Sequence, residues 1–115
     1  KADVMAFERV CSLDDIWQGD MESFEVSGTD ILLVHLEEGG IHAIQAQCPH
    51  QEVELADGSL DGAVLTCSMH LWQFDVVSGK GVNPSHAEVA KYPVKVEGDD
   101  VFVDIESIEP KFASA

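Results

Sequence analysis

Positive charge is what this sequence has least of. Lys and Arg number 6 against 22 Asp and Glu, a formal net charge of -16 over 115 residues, and no Lys or Arg falls between Arg9 and Lys80. A surface this acidic repels phosphate backbones and anionic lipid, so neither nucleic acid nor a membrane is an expected partner. It is drawn at a distance to a protein that presents Lys and Arg around its docking site, and its self-repulsion favours a monomer. The same charge also serves plain solubility. Long apolar runs are missing as well: no stretch of about 18 apolar residues is available to cross a bilayer. The start, KADVMAF, lacks the basic and then apolar regions of a signal peptide, so a cytoplasmic protein is expected. Cysteine is scarce. Three cannot complete a disulfide framework, and two of them, Cys48 and Cys67, stand close to a histidine, which favours metal ligation in a reducing compartment. No repeat, low-complexity tract or Pro/Ser linker divides the chain.

What is present is enough apolar surface, 45% of the residues, for one core. Short β-rich runs at 21–26, 31–36, 41–47, 64–67, 71–76, 92–96 and 101–105 alternate with Gly and Asp turns, which reads as an all-β, antiparallel fold. Tight turns are expected at Ser27-Gly28, Glu38-Gly39-Gly40, Asp57-Gly58 and Gly98-Asp99-Asp100, because Gly tolerates positive φ and Asp bonds its own backbone. Ser12 followed by Asp14 and Asp15 has the form of a helix N-cap and predicts one short helix over 13–17. A single domain over residues 5–110 is expected, with 1–4 read as a cloning scar or a remnant of processing and 111–115 as a frayed tail.

The chemistry is concentrated in Cys48-x-His50 and, after residues 51–66, Cys67-x-x-His70. The first pair follows the expected strand 41–47, and Pro49 turns the chain out of the sheet there by fixing its own φ and removing a donor. The second pair spans the hinge Ser68-Met69-His70 between two further strands. Each loop thus offers one thiolate and one imidazole at a strand end. That suits a cluster of two chemically different irons, one held by both Cys and the other by both His. Structural zinc is the rival reading, but zinc fingers usually pair Cys with Cys and His with His, whereas both loops here are mixed. Cys11 has no His nearby and reads as a buried thiol acting as a small hydrophobe. His35, His42 and His86 read as structural or surface histidines.

The stretches Cys48-Pro49-His50-Gln51 and Cys67-Ser68-Met69-His70-Leu71-Trp72-Gln73-Phe74-Asp75 resemble the Rieske ferredoxins. So do Gly79-Lys80-Gly81-Val82-Asn83-Pro84 and the closing Tyr92-Pro93-Val94 and Gly98-Asp99-Asp100-Val101-Phe102-Val103. The resemblance implies an antiparallel β-sandwich, the Rieske fold, with a cluster-binding subdomain of about 46–86 built from two ligand loops and a proline loop. It implies one Rieske-type 2Fe-2S cluster held by Cys48, His50, Cys67 and His70. Gln51, Met69 and Pro84 would line the exposed tip beside it, and Trp72 would either pack in the core or meet a partner. The opening Phe7-Glu8-Arg9-Val10-Cys11-Ser12-Leu13-Asp14-Asp15-Ile16-Trp17, with Gln51-Glu52 and His70-Leu71-Trp72, is most similar to the ferredoxin component of toluene monooxygenases. That likeness implies an electron carrier and not an enzyme, relaying electrons from a flavin-containing NADH reductase to a diiron hydroxylase. Alternatives are the ferredoxin of a Rieske aromatic-ring dioxygenase, a small Rieske subunit of another reductase and, more remotely, a zinc-stabilised interaction module.

Departures from the respiratory relatives bear on the potential. Val53 and Met69 stand where those relatives carry a disulfide, and Trp72 and Phe74 stand where they carry hydroxyls near the cluster. Fewer hydrogen bonds to sulfur and an acidic surround leave added negative charge less stabilised. The expected reduction potential is about -150 mV, at the low end of the Rieske range; a positive value in a redox titration would contradict it.

Overall fold

A computed structural model of the chain describes residues 7–38, 40–49, 53–69, 71–83, 85 and 87–106. His50, Gln51, His70, Pro84 and His86 lie outside the described residues, as do 1–4 and 111–115.

Among the described residues eleven strands follow one another: β1 Glu8–Ser12, β2 Asp20–Val26, β3 Thr29–His35, β4 Ile41–Gln45, β5 Ser59–Asp61, β6 Val64–Thr66, β7 Gln73–Asp75, β8 Gly81–Asn83, β9 Lys91–Tyr92, β10 Val94–Glu97 and β11 Asp100–Val103. They form three antiparallel sheets of order β1-β11-β10, β2-β3-β4-β9 and β5-β6-β7-β8. The expected all-β antiparallel class is the one observed.

Period-two alternation in β3 sets the layering, because successive side chains of a strand leave on opposite faces. Ile31 and Leu33 enter one core with Cys11, Val26, Ala43, Tyr92, Val101 and Val103, between the β1-β11-β10 sheet and the β2-β3-β4-β9 sheet. Leu32 and Val34 enter a second core with Ile44, Leu65, Phe74 and both Cys48 and Cys67, against the β5-β6-β7-β8 sheet. The strand β3 is therefore buried on both faces, which is why residues 31–34 form an unbroken apolar run. Two layers make the base sandwich, and Cys48 and Cys67 lie in the core between the middle sheet and the third.

Several expected boundaries move for identifiable reasons. Ser12 does cap, with Asp15 Oδ2 accepting from its own backbone N–H at 2.9 Å, but the helix is one 3₁₀ turn, Leu13–Asp15. It stops because Ile16 is pulled into the base core, leaving Trp17 73% exposed. The expected strand 92–96 is broken at Pro93, which has no N–H for a ladder; the chain changes sheets there, β9 pairing with β4 and β10 with β11. The expected strand 71–76 shrinks to Gln73–Asp75, since the preceding residues close a turn described below. Strands β5 and β8 were not expected: at three residues each, with mostly half-exposed or exposed side chains, they carry no readable alternation. The β2–β3 turn is as expected, with Ser27 at φ 49° and Gly28 at φ 84°, the left-handed pair that a two-residue hairpin needs.

The third layer is tied to the middle sheet by polar contacts too. Lys91 Nζ donates to Val77 O at 2.6 Å and lies 3.0 Å from Nδ1 of His42. Burial pushes the Lys91 ammonium below its ordinary pKa, and Asp75 opposes that shift. At Gly58 the chain passes so close to β6 that a Cβ would clash with Thr66 O. Gly58→Ala is therefore expected to cost about 2–3 kcal/mol, measured as a lower midpoint in equilibrium urea unfolding.

Candidate functional site

The two cysteine loops prove to be the tips of two hairpins of equal length. In the first, Leu55 N donates to Ala46 O at 2.8 Å, Gln47 bridges Glu54, and Cys48 N donates to Val53 O at 2.8 Å. In the second, Thr66 pairs with Gln73 and Cys67 N donates to Trp72 O at 2.7 Å. Cys48 and Cys67 thus hold matching positions, each donating to the carbonyl five residues on, with residues 49–52 lying between in one sequence and 68–71 in the other. Placing the two ladders side by side explains the unequal motifs: the histidine sits second in the first tip and third in the second.

Both thiols face inward. Cys48 is 1% exposed and Cys67 2%, they belong to the same apolar cluster, and neither is in a disulfide. Val53, at one of the two positions read as lacking the respiratory disulfide, packs on that cluster as a half-buried hydrophobe, and Met69, at the other, is 58% exposed. Trp72 also packs against the cluster, so its core role is real whatever else it does. Phe74 is fully buried there and brings no hydroxyl. The donor set fits an iron–sulfur cluster: two unlinked thiols are buried in one apolar cluster at matched hairpin positions, and a histidine follows each of them in the sequence. Cys11 is buried in the other core, where burial pushes its thiol above the ordinary pKa, so it stays protonated and unreactive. His35 is structural, its Nδ1 lying 3.0 Å from Ile16 O.

Two residues that sequence reasoning passed over shape this site. Gln45 is buried, with Oε1 accepting from Ala90 N at 2.7 Å and Nε2 donating to Gln47 O at 2.8 Å. It joins the entry to the first tip to the segment that returns after the expected proline loop. Its one signal in the sequence is a polar residue at the buried end of an apolar strand. Leu71 closes the second tip: its N–H bonds Cys67 O at 3.1 Å, an i to i−4 turn that ends with Leu71 at φ 60°. For a residue with a Cβ this left-handed conformation costs about 1–2 kcal/mol. The side chain is nonetheless 65% exposed, above a depression shared with Asp57, Gly58, Ser59, Thr66, Cys67 and Ser68.

Comparison with known proteins agrees with this geometry. A family profile described as the Rieske [2Fe-2S] domain matches residues 6–93. The chain is 41% identical to the ferredoxin component of the alkene monooxygenase system of Xanthobacter autotrophicus, over 98% of this chain and 92% of that one. It is 36% identical to the biphenyl dioxygenase ferredoxin subunit of a Pseudomonas species, over 87% of this chain and 93% of that one. Among solved structures, the ferredoxin of carbazole 1,9a-dioxygenase from Nocardioides aromaticivorans superposes with a TM-score of 0.78 at 28% identity, covering 86% of this chain and 97% of that one. No helix among the described residues is long and apolar enough to cross a membrane.

Gln45→Leu would leave both Ala90 N–H and Gln47 C=O without the amide that bonds them. It is expected to lower stability by about 2–3 kcal/mol, read from the urea unfolding midpoint.

Proposed function

Because the chain belongs to the Rieske [2Fe-2S] domain family, and so is a ferredoxin with one Rieske-type cluster and no catalytic site of its own, we propose that Cys48, His50, Cys67 and His70 are the ligands. The cluster, when bound, supplies reversible one-electron transfer. The observation that carries the assignment is the pair of equal hairpin tips that bring Cys48 and Cys67 into one buried pocket. Leu55, Leu65, Phe74 and Val76 exclude water from the thiol side. The tips open the other side to a partner, and there Gln51, Met69, Trp72 and Pro84 are the proposed shielding or docking residues. Residues 46–86 form the cluster-binding unit within a single domain over 5–110.

The partners we propose are a flavin-containing NADH reductase as electron source and the diiron hydroxylase of a multicomponent monooxygenase as acceptor. The likeness to the alkene monooxygenase ferredoxin, the higher identity of the two relatives above, supports a monooxygenase acceptor. The biphenyl relative supports the dioxygenase reading as the alternative. A monomer in the cytoplasm fits the charge of -16, since like-charged copies repel and a basic-rimmed partner is attracted.

Cys67→Ala is expected to abolish the brown colour and the electron paramagnetic resonance of the dithionite-reduced protein; a colourless wild-type chain holding zinc would overturn the assignment. In reconstitution with reductase, turnover is expected with a diiron hydroxylase, and turnover only with a Rieske dioxygenase would select the alternative. The second-order rate of acceptor reduction is expected to fall about ten-fold as salt rises from 20 to 500 mM, whereas a salt-independent rate would remove the acidic-steering account.

A further inference from the structure

Leu71 combines two unfavourable features that a glycine at the same position would lack. Its backbone sits at φ 60°, imposed by the bond from its N–H to Cys67 O and by the closure of Cys67 N on Trp72 O. Its side chain is left 65% exposed. Glycine adopts that backbone at no steric cost and exposes no apolar surface. The leucine therefore gains little inside the molecule for either expense, and backbone outliers of this kind are held where function uses them. Met69, also exposed, stands two residues before it in the same tip, and the carboxylate of Asp57, exposed as well, rims the same depression.

We infer that Leu71 is the apolar contact by which this ferredoxin seats on its oxygenase, entering an apolar recess beside a Lys or Arg that faces Asp57. The inference rests on the electron-carrier reading above and assigns that reading its contact residue. Charge selects the occupant. A second copy would bring together two chains carrying -16 each, with Asp57 facing its own like, and an anionic lipid surface is repelled in the same way. A protein with a basic rim and an apolar centre satisfies both Asp57 and Leu71, and a short side chain on a small tip gives the limited, fast-dissociating contact that a carrier needs.

The test uses the cluster-loaded full chain as wild type, Leu71→Gly and Leu71→Met. Stopped-flow measures the rate at which reduced ferredoxin reduces the oxygenase. Leu71→Gly is expected to slow this step about ten-fold, with the visible spectrum, paramagnetic resonance and reduction potential unchanged and the unfolding midpoint equal or higher. Leu71→Met, apolar and of similar volume, is expected to recover most of the rate. A wild-type rate in Leu71→Gly overturns the inference. So does a changed spectrum or a lowered midpoint, which would make the leucine structural. Slowing confined to reduction by the reductase would name that protein as the occupant, and wild-type dimerisation lost in Leu71→Gly would name a second copy; either result also overturns it. If wild type itself fails to reduce any oxygenase, the functional reading falls, which the wild-type trace reports separately from the variants.

Discussion

The burial of β3 on both faces is the constraint on which the rest of this molecule depends. Ile31 and Leu33 fill the base sandwich while Leu32 and Val34 fill the layer that contains Cys48 and Cys67, so the middle sheet can move toward neither side without opening a core. Close packing of this kind transmits displacement instead of absorbing it. The first cysteine hairpin grows directly out of β4, which pairs with β3 along its whole length, and thereby inherits that rigidity. The second belongs to the outer sheet, held by the shared apolar cluster, by the near-contact at Gly58 and by the reach of Lys91 to Val77.

The two tips divide the site into a dry half and a wet half. Thiols set in apolar surroundings face no competing water, and they keep their geometry because both cysteines are themselves bonded into the hairpin ladders. Beyond Cys67 the chain exposes the side chains of Met69 and Leu71. A carrier needs both halves: a fixed interior limits reorganisation when charge changes, and a small outer edge meets partners briefly.

Legibility in the sequence followed how local the cause was. That two cysteine-bearing loops stand at strand ends was readable because Pro49 and the hinge at Ser68-Met69 interrupt the β pattern locally, and the run at 31–34 was readable because a doubly buried strand is apolar throughout. The Ser27-Gly28 turn was readable from its own backbone demands. Pro93 looked like an interruption inside one strand, yet it marks a change of sheet, and that depends on which strands stand beside it in space. Residues 59–61 and 81–83 are strands only because β6 and β7 offer them an edge. The backbone of Leu71 was invisible because it is fixed by Cys67 O and by the closing bond to Trp72. Gln45 was missed because its partners, Ala90 and Gln47, lie on segments whose approach only the fold reveals.

The alternation along β3 makes odd and even numbering an address. An identical truncation at residue 31 or 33 opens its void against β1 and β11, in the core that excludes Cys48 and Cys67, whereas one position along, at 32 or 34, the void adjoins the core that holds them. Stability and cofactor chemistry, usually entangled in so small a protein, are thus separable in this strand by a shift of a single residue.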